Sequence, residues 1–436
     1  MTQLLTSQIG SGSYQVDDIQ FLLRPLNISP TDVAQKERLI QSGQKHYSEM
    51  ISTEHVPSAH HQAIFEQALE QGGARMAQAV QSLALALLPY QIDGQLTLLS
   101  LVRAGVPLGV LLTRALRDMG VTVAHYGISI IRDRGIDVQA INDICQVHTP
   151  QSLIFVDGWT GKGAIAKELA HTLATQINYP IEPRLVTLTD PCGVAWLAAA
   201  HDDWLIPSGI LGATVSGLVS RSIWPQDLGW HGCVRCDDLQ PFDNSRYLIE
   251  TVNDLRLQLA PQTAAVWPVE HRNTLQAASQ KVIADVTTRF NISSINRIKP
   301  GIAEATRAVM RRVPEHVLVS SKQDNDVRLL VQLAQQAGVA VEEIGQQEGG
   351  GVVLAAGGAA DDTDPRVVLE GEQLVDVEHG HTDAAVHGLG TTLAEGVLQP
   401  HLHAGEEKAA VDEIGDASVF GGAFGEPNRQ AWQPAA

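Results

Sequence analysis

The sequence predicts an α/β protein: a parallel sheet with helices on both faces and an irregular cap, then a small second α/β domain and an acidic tail of low order. Three observations predict it. Mostly apolar runs at 96–102 and 153–156, and a strand-like run at 184–189, have the length of strands in a buried parallel sheet. The first two run into glycine-bearing turns and then into apolar residues at helical spacing, and the third ends in Asp190-Pro191-Cys192-Gly193. From Gly349 the character changes: the last 88 residues hold 15 acids, 3 Lys or Arg, five histidines, one isoleucine and no tyrosine, cysteine or methionine.

A chain of 436 residues is long enough for two or three domains. No apolar run approaches a membrane span and no signal-type block follows Met1, so a cytoplasmic protein without membrane contact is expected. Four cysteines are too few for a disulfide framework at this length, which makes reduced thiols the default. The net charge of −19 is concentrated in the tail, and residues 281–314 carry seven Lys or Arg against two acids.

Residues 1–60 show no strong periodicity and read as an N-terminal extension, in which the short polar stretch His46-Tyr47-Ser48-Glu49 reads first as solvated surface and second as a segment that could reach a site. A helix is expected over 61–88, interrupted at Gly72-Gly73 and ended by Pro89. The strand at 96–102 empties into Arg103-Ala104-Gly105, and a helix follows, closed by Gly120. A third strand over 121–131 ends in the charged turn Arg132-Asp133-Arg134-Gly135, with a helix to residue 147.

The run Leu153-Ile154-Phe155-Val156 leads into Asp157-Gly158-Trp159-Thr160-Gly161-Lys162-Gly163, where a strand hands over to a helix. Glycines turn the backbone N–H groups outward and the helix start adds unpaired donors, a combination suited to phosphate. Asp157 would sooner accept from sugar hydroxyls than meet an anion. Neither Gly-x4-Gly-Lys-Ser/Thr nor Gly-x-Gly-x-x-Gly is present. Residues 61–260 form the main domain on this reading, with 201–250 as an irregular cap rich in Gly and Trp. Cys233 and Cys236 have zinc-pair spacing, and His231 and Cys192 would complete a set; with no second close pair, no metal is assigned.

Residues 261–284 read as a linker, and a smaller unit at 285–348 runs helix, strand, helix, strand. The low-order tail is 349–436, where an abrupt change before a final strand suggests a shifted reading frame, and where His401 and His403 are stray histidines.

The strand, the acid and Thr160-Gly161-Lys162-Gly163 together resemble the phosphoribosyl-pyrophosphate loop of type I phosphoribosyltransferases, with Gly158 where a second acid usually stands. Arg103-Ala104-Gly105 is similar to the family's pyrophosphate loop. Residues 285–348 resemble a Pelota-type RNA-binding domain: Gly301, Glu304 and Arg307 match its Gly-x-Asn-Glu-x-x-Lys/Arg signature, with Ala303 at the asparagine. With His46 to Met50, Ile130 to Gly135 and Ser216-Gly217-Leu218-Val219-Ser220-Arg221, residues 1–344 resemble one bacterial group. It is the phosphoribosyltransferase-like family fused to a Pelota domain, associated with tellurite-resistance stress gene clusters and also labelled cysteine protease StiP.

The resemblance implies transfer of ribose 5-phosphate from phosphoribosyl pyrophosphate, with substrate-bound Mg2+, to an unknown nucleophile. It places the 5-phosphate on Thr160, Gly161, Lys162 and Gly163, the ribose on Asp157, and the pyrophosphate on Arg103, Ala104 and Gly105 with Arg132 or Arg134. RNA would meet Lys299, Gly301, Glu304, Arg307 and Arg311. A homo-oligomer is compatible with the sequence. Two alternatives stand beside it: a cysteine protease using Cys192, with His201 or His231 as candidate bases, and a non-catalytic RNA- or nucleotide-binding regulator.

Overall fold

The computed structural model describes residues 5–345, apart from 178, 180, 181, 226, 228, 293, 294, 312 and 313, together with a strand at 353–355. The start of the chain contributes strands β1 (Gln20–Phe21) and β2 (Arg24–Pro25) and helix α1 (Val33–Gln41). Helix α2 (Ala59–Leu87) begins where the Ser58 hydroxyl accepts from the His61 N–H. It runs unbroken through Gly72-Gly73, where the sequence predicts an interruption. A Cβ at Gly72 would meet the Trp204 ring at 2.9 Å and one at Gly73 would meet Leu255 at 3.2 Å. The missing side chains let two segments pack close to the helix, and that burial outweighs the ~1 kcal/mol per residue that glycine costs a helix.

The main sheet is built from β3 (Gln95–Val102), β4 (Thr122–Ile131), β5 (Gly135–Ile136), β6 (Leu153–Val156), β7 (Leu185–Thr189) and β8 (Leu197–Ala200), with β1 at its edge. Helices α3 (Gly105–Asp118), α4 (Val138–Val147) and α5 (Ala164–Thr172) connect the strands. The order is β1-β4-β3-β6-β7-β8 and every pairing along it is parallel, while β5 turns back antiparallel on β4. Both faces are covered. Leu96 and Leu98 pack with α2 and α3 residues such as Leu83 and Leu111, whereas Leu99 and Leu101 point the other way, onto Ile141, Ile144 and Leu169. Strands β4 and β6 lie on opposite sides of β3. The winding therefore reverses there, and a crevice opens at the carboxyl ends of β3 and β6.

The cap follows as short 3-10 turns and one strand, β9 (Gly232–Cys233), which pairs with β2, before α6 (Ser245–Leu257) returns to α2 and α3. Helix α7 (Val269–Arg289) leads to the small domain: β10 (Ile298–Pro300), α8 (Ile302–Arg311), β11 (His316–Val319), α9 (Arg328–Gln336), β12 (Ala340–Glu343) and β13 (Val353–Ala355). Its sheet order is β10-β13-β11-β12. Strand β13 falls after Gly349 and joins β10 to β11, antiparallel to both. The remainder of the acidic tail, with His401 and His403, lies outside the described residues.

Candidate active site

Close backbone contacts bring the predicted loops to one rim. A Cβ on Gly105 would collide with the Val156 carbonyl and lie 3.0 Å from the Asp157 Cα, and one on Gly158 would lie 2.9 Å from the Ala104 carbonyl oxygen. The third loop joins them: the Thr160 hydroxyl donates to Asp190, and its N–H reaches the Thr189 carbonyl at 3.3 Å.

Three of the side chains assigned to a sugar phosphate, those of Arg103, Arg134 and Lys162, are held by other protein groups. Arg103 donates to Glu54 at 2.6 Å. Arg134 is paired with Glu49 and stacks over the Trp224 ring, 4.7 Å from its centroid. The Arg132 carbonyl accepts from the Tyr47 hydroxyl at 3.5 Å. Lys162 turns away from the loop and donates to the carbonyls of Ile295 and Ile298 at 2.8 and 3.0 Å. Burial, with the Lys299 charge beside it, lowers its pKa to about 8. Asp157 accepts from the Gly158 N–H at 2.8 Å, and burial, with Glu304 near, pushes its carboxyl up to about 7. Gly163 supplies the left-handed residue that opens α5.

The small domain sits over this loop. From a Cβ position on Gly161, the Pro300 carbonyl is 3.6 Å away and the Glu304 carboxyl 3.7 Å. The Ile302 N–H donates to Asp203 at 2.6 Å, and a Cβ on Gly301 would lie 3.7 Å from that carboxylate. Arg307 is half-buried on α8, and the side chain of Arg311 lies outside the described residues.

Cys192 stands just beyond β7, 4 % exposed, with its thiol 3.7 Å from Asp190. The other oxygen of that carboxylate accepts from the Ala195 N–H at 2.6 Å. Burial first and the Asp190 charge second push the Cys192 thiol up to about 12. Burial also raises Cys233 and Cys236 to about 12 and Cys145 to about 11. Among the described residues, no imidazole is among the groups that shift any of these thiols. His231 is bonded to Ser129 on β4 at 2.7 Å, three strands from β7 and hence roughly 14 Å off at the usual strand spacing. His201 faces His271, with ring centroids 5.0 Å apart. Among the described residues, no group of three or more His, Cys, Asp or Glu is placed to hold a metal ion, the Cys233-Cys236 pair included.

Sequence reasoning gave no role to Glu54 or Asp203, and named Glu49 only within the stretch 46–49, Asp190 only at the end of a strand and Arg221 only within a longer block. Arg221 donates to the Tyr47 carbonyl at 2.8 Å and to that of Met50, tying the cap to the polar stretch at 46–50. Its signal was the block 216–221; Glu54 sits in an aperiodic segment and had none.

Residues 12–253 match the family model described as tellurite-like stress resistance cysteine protease StiP, and residues 277–350 match the PELOTA RNA binding domain. A relative described as cysteine protease StiP, from Acinetobacter baylyi, is 49% identical over 359 residues, covering 79% of this chain and 94% of its own. Among solved structures, hypoxanthine phosphoribosyltransferase of Trypanosoma cruzi aligns at 16% identity over 39% of this chain and 93% of its own, with a TM-score of 0.22. N-succinyldiaminopimelate aminotransferase from Mycobacterium tuberculosis aligns at 15% over 77% and 88%, with a TM-score of 0.20. Likenesses that weak carry no argument.

The expected phosphoribosyltransferase activity is thereby corrected: both the family model and the 49% identical relative bear the name of a cysteine protease, the alternative reading. The site is in keeping with the correction, since Arg103, Arg134 and Lys162 are held by protein groups. The two sequence matches, one over more than half the chain, place it in a single family: the chain belongs to the StiP cysteine proteases, with a Pelota-type domain at its C-terminal side.

Proposed function

We propose that the chain is a cytoplasmic cysteine peptidase acting in tellurite-like stress resistance, with Cys192 as its nucleophile. The observation that carries the assignment is the placement of this thiol at the carboxyl edge of the parallel sheet, in contact with a carboxylate fixed by Thr160 and by the Ala195 N–H. Cys145 lies on α4 and the Cys233 and Cys236 thiols sit in the cap.

In the reaction the Cys192 sulfur attacks the carbonyl carbon of a peptide bond as its proton passes to Asp190. The same proton then goes to the departing amine as the C–N bond breaks, and water hydrolyses the resulting thioester. Thr160 and the Ala195 N–H orient the Asp190 carboxylate for both transfers. Burial and the Asp190 charge keep the Cys192 thiol protonated at neutral pH in the described arrangement, so this is the resting form.

The test is hydrolysis of a fluorescent casein substrate by the full chain and by single Cys→Ala variants. Loss of activity in Cys192→Ala, with activity kept in the Cys145, Cys233 and Cys236 variants, is expected. Full activity in Cys192→Ala would remove it as nucleophile. The match to the PELOTA RNA binding domain supports RNA as a partner of the small domain.

A further inference from the structure

The parts of the chain that carry Cys192 are covered by the segments that follow the cap. Gly193, next to the thiol, lies against the Arg272 carbonyl on α7, and a Cβ there would be 2.9 Å from the Gln276 nitrogen. Arg272 also donates to the Ala195 carbonyl at 3.3 Å. One strand over, β10 and α8 close on the β6–α5 loop through the Pro300 carbonyl and Glu304, and Lys162 reaches across to Ile295 and Ile298. The cap adds the Asp203 bond to the Ile302 N–H, and Ala303 rests 3.3 Å from the Cβ position of Gly209. Arg75 on α2 pairs with Asp326 at 2.9 Å. A peptide reaching Cys192 has to displace these contacts.

The covering face is also the one the sequence marks for RNA. Gly301 and Glu304 of the Gly-x-x-Glu-x-x-Arg signature are turned onto the catalytic unit, and Lys299 lies close enough to Lys162 for its charge to act there. RNA phosphates and the loop at 157–163 would compete for the first turn of α8. The anchors combine hydrogen bonds and ion pairs with apolar contact, since Ile302, Ala305 and Val309 of α8 share one buried cluster with Trp204, Ile206 and Ile210.

We propose that the small domain and α7 form a latch over the rim carrying Cys192, and that RNA bound at the first turn of α8 releases it. The consequence for catalysis rests on Cys192 being the nucleophile; the latch itself does not. It is tested by the rate at which iodoacetamide labels Cys192 in the full chain, followed by peptide mass mapping, with and without a saturating structured RNA hairpin. A rise of about fivefold or more with RNA is expected, and a similar rise without RNA in Asp203→Ala/Lys162→Met. An unchanged rate with RNA bound, or a hairpin that fails to bind, overturns release by RNA. An unchanged rate in the double variant, with its far-ultraviolet spectrum intact, overturns the latch. Because labelling needs no peptide cleavage, a latch that opens on an inactive protein would count against the peptidase reading alone.

Discussion

Replacing Lys162 by methionine removes an ammonium and keeps the stem, so it isolates the two bonds that Lys162 makes to Ile295 and Ile298, at 2.8 and 3.0 Å. A buried hydrogen bond to a charged group is worth about 1.5–3 kcal/mol. Lys162 is only half-buried, and the fall of its pKa to about 8 shows that the charge is itself disfavoured there. About 0.5–1 kcal/mol for each bond is therefore the fitting range, or about 1–2 kcal/mol together. That makes undocking of the small domain about 5- to 30-fold easier. Hydrogen exchange followed by mass spectrometry reads this at the Ile302 amide, which Asp203 holds at 2.6 Å, and through the first turn of α8. Exchange there is expected to quicken by that factor while amides of β3 and β4 change less than about twofold. Equal protection in the variant, or faster exchange throughout, would refute the reasoning.

Asp157, with Glu304 near it and the Gly158 N–H bonded to it, keeps its proton in the folded chain up to about pH 7, whereas an unfolded aspartate loses it near pH 3.9, by the usual reference value. The unfolded form therefore binds fewer protons between about pH 4 and 7, and this group lowers stability as pH rises through that window. Asp157→Asn is expected to gain on the wild type from pH 5 to pH 8 in urea midpoint, and a gap independent of pH would contradict the assignment. Gly105→Ala drives a methyl into the Val156 carbonyl, which overpacks the junction of the β3 and β6 loops at a cost of about 1–3 kcal/mol. Its melting temperature is expected to fall by several degrees, and an unchanged melt would mean that the loops stand further apart than described.

Much of the main sheet was legible because strands buried on both faces leave apolar runs that nothing else explains, as at 96–102 and 153–156. The convergence of the Arg103 and Thr160 loops followed from strand order, since loops after parallel strands share an edge. What the side chains do at that edge was not legible. Glu49 and Glu54, which take Arg134 and Arg103, come from an aperiodic segment far away in sequence. The engagement of Lys162 by a domain over 130 residues later leaves no local trace either. A turn shape shared by many α/β proteins suggested the wrong chemistry, because a rim of backbone donors does not specify a reaction.

The most direct test of Cys192 as nucleophile is labelling with a peptidyl epoxide that traps active thiolates, with the modified peptide located by mass spectrometry while casein hydrolysis is followed in the same sample. One label per chain on Cys192, rising in step with lost activity and absent from Cys192→Ala, is the expected result. Activity lost through a label on Cys236 or Cys145, with Cys192 untouched, would contradict it.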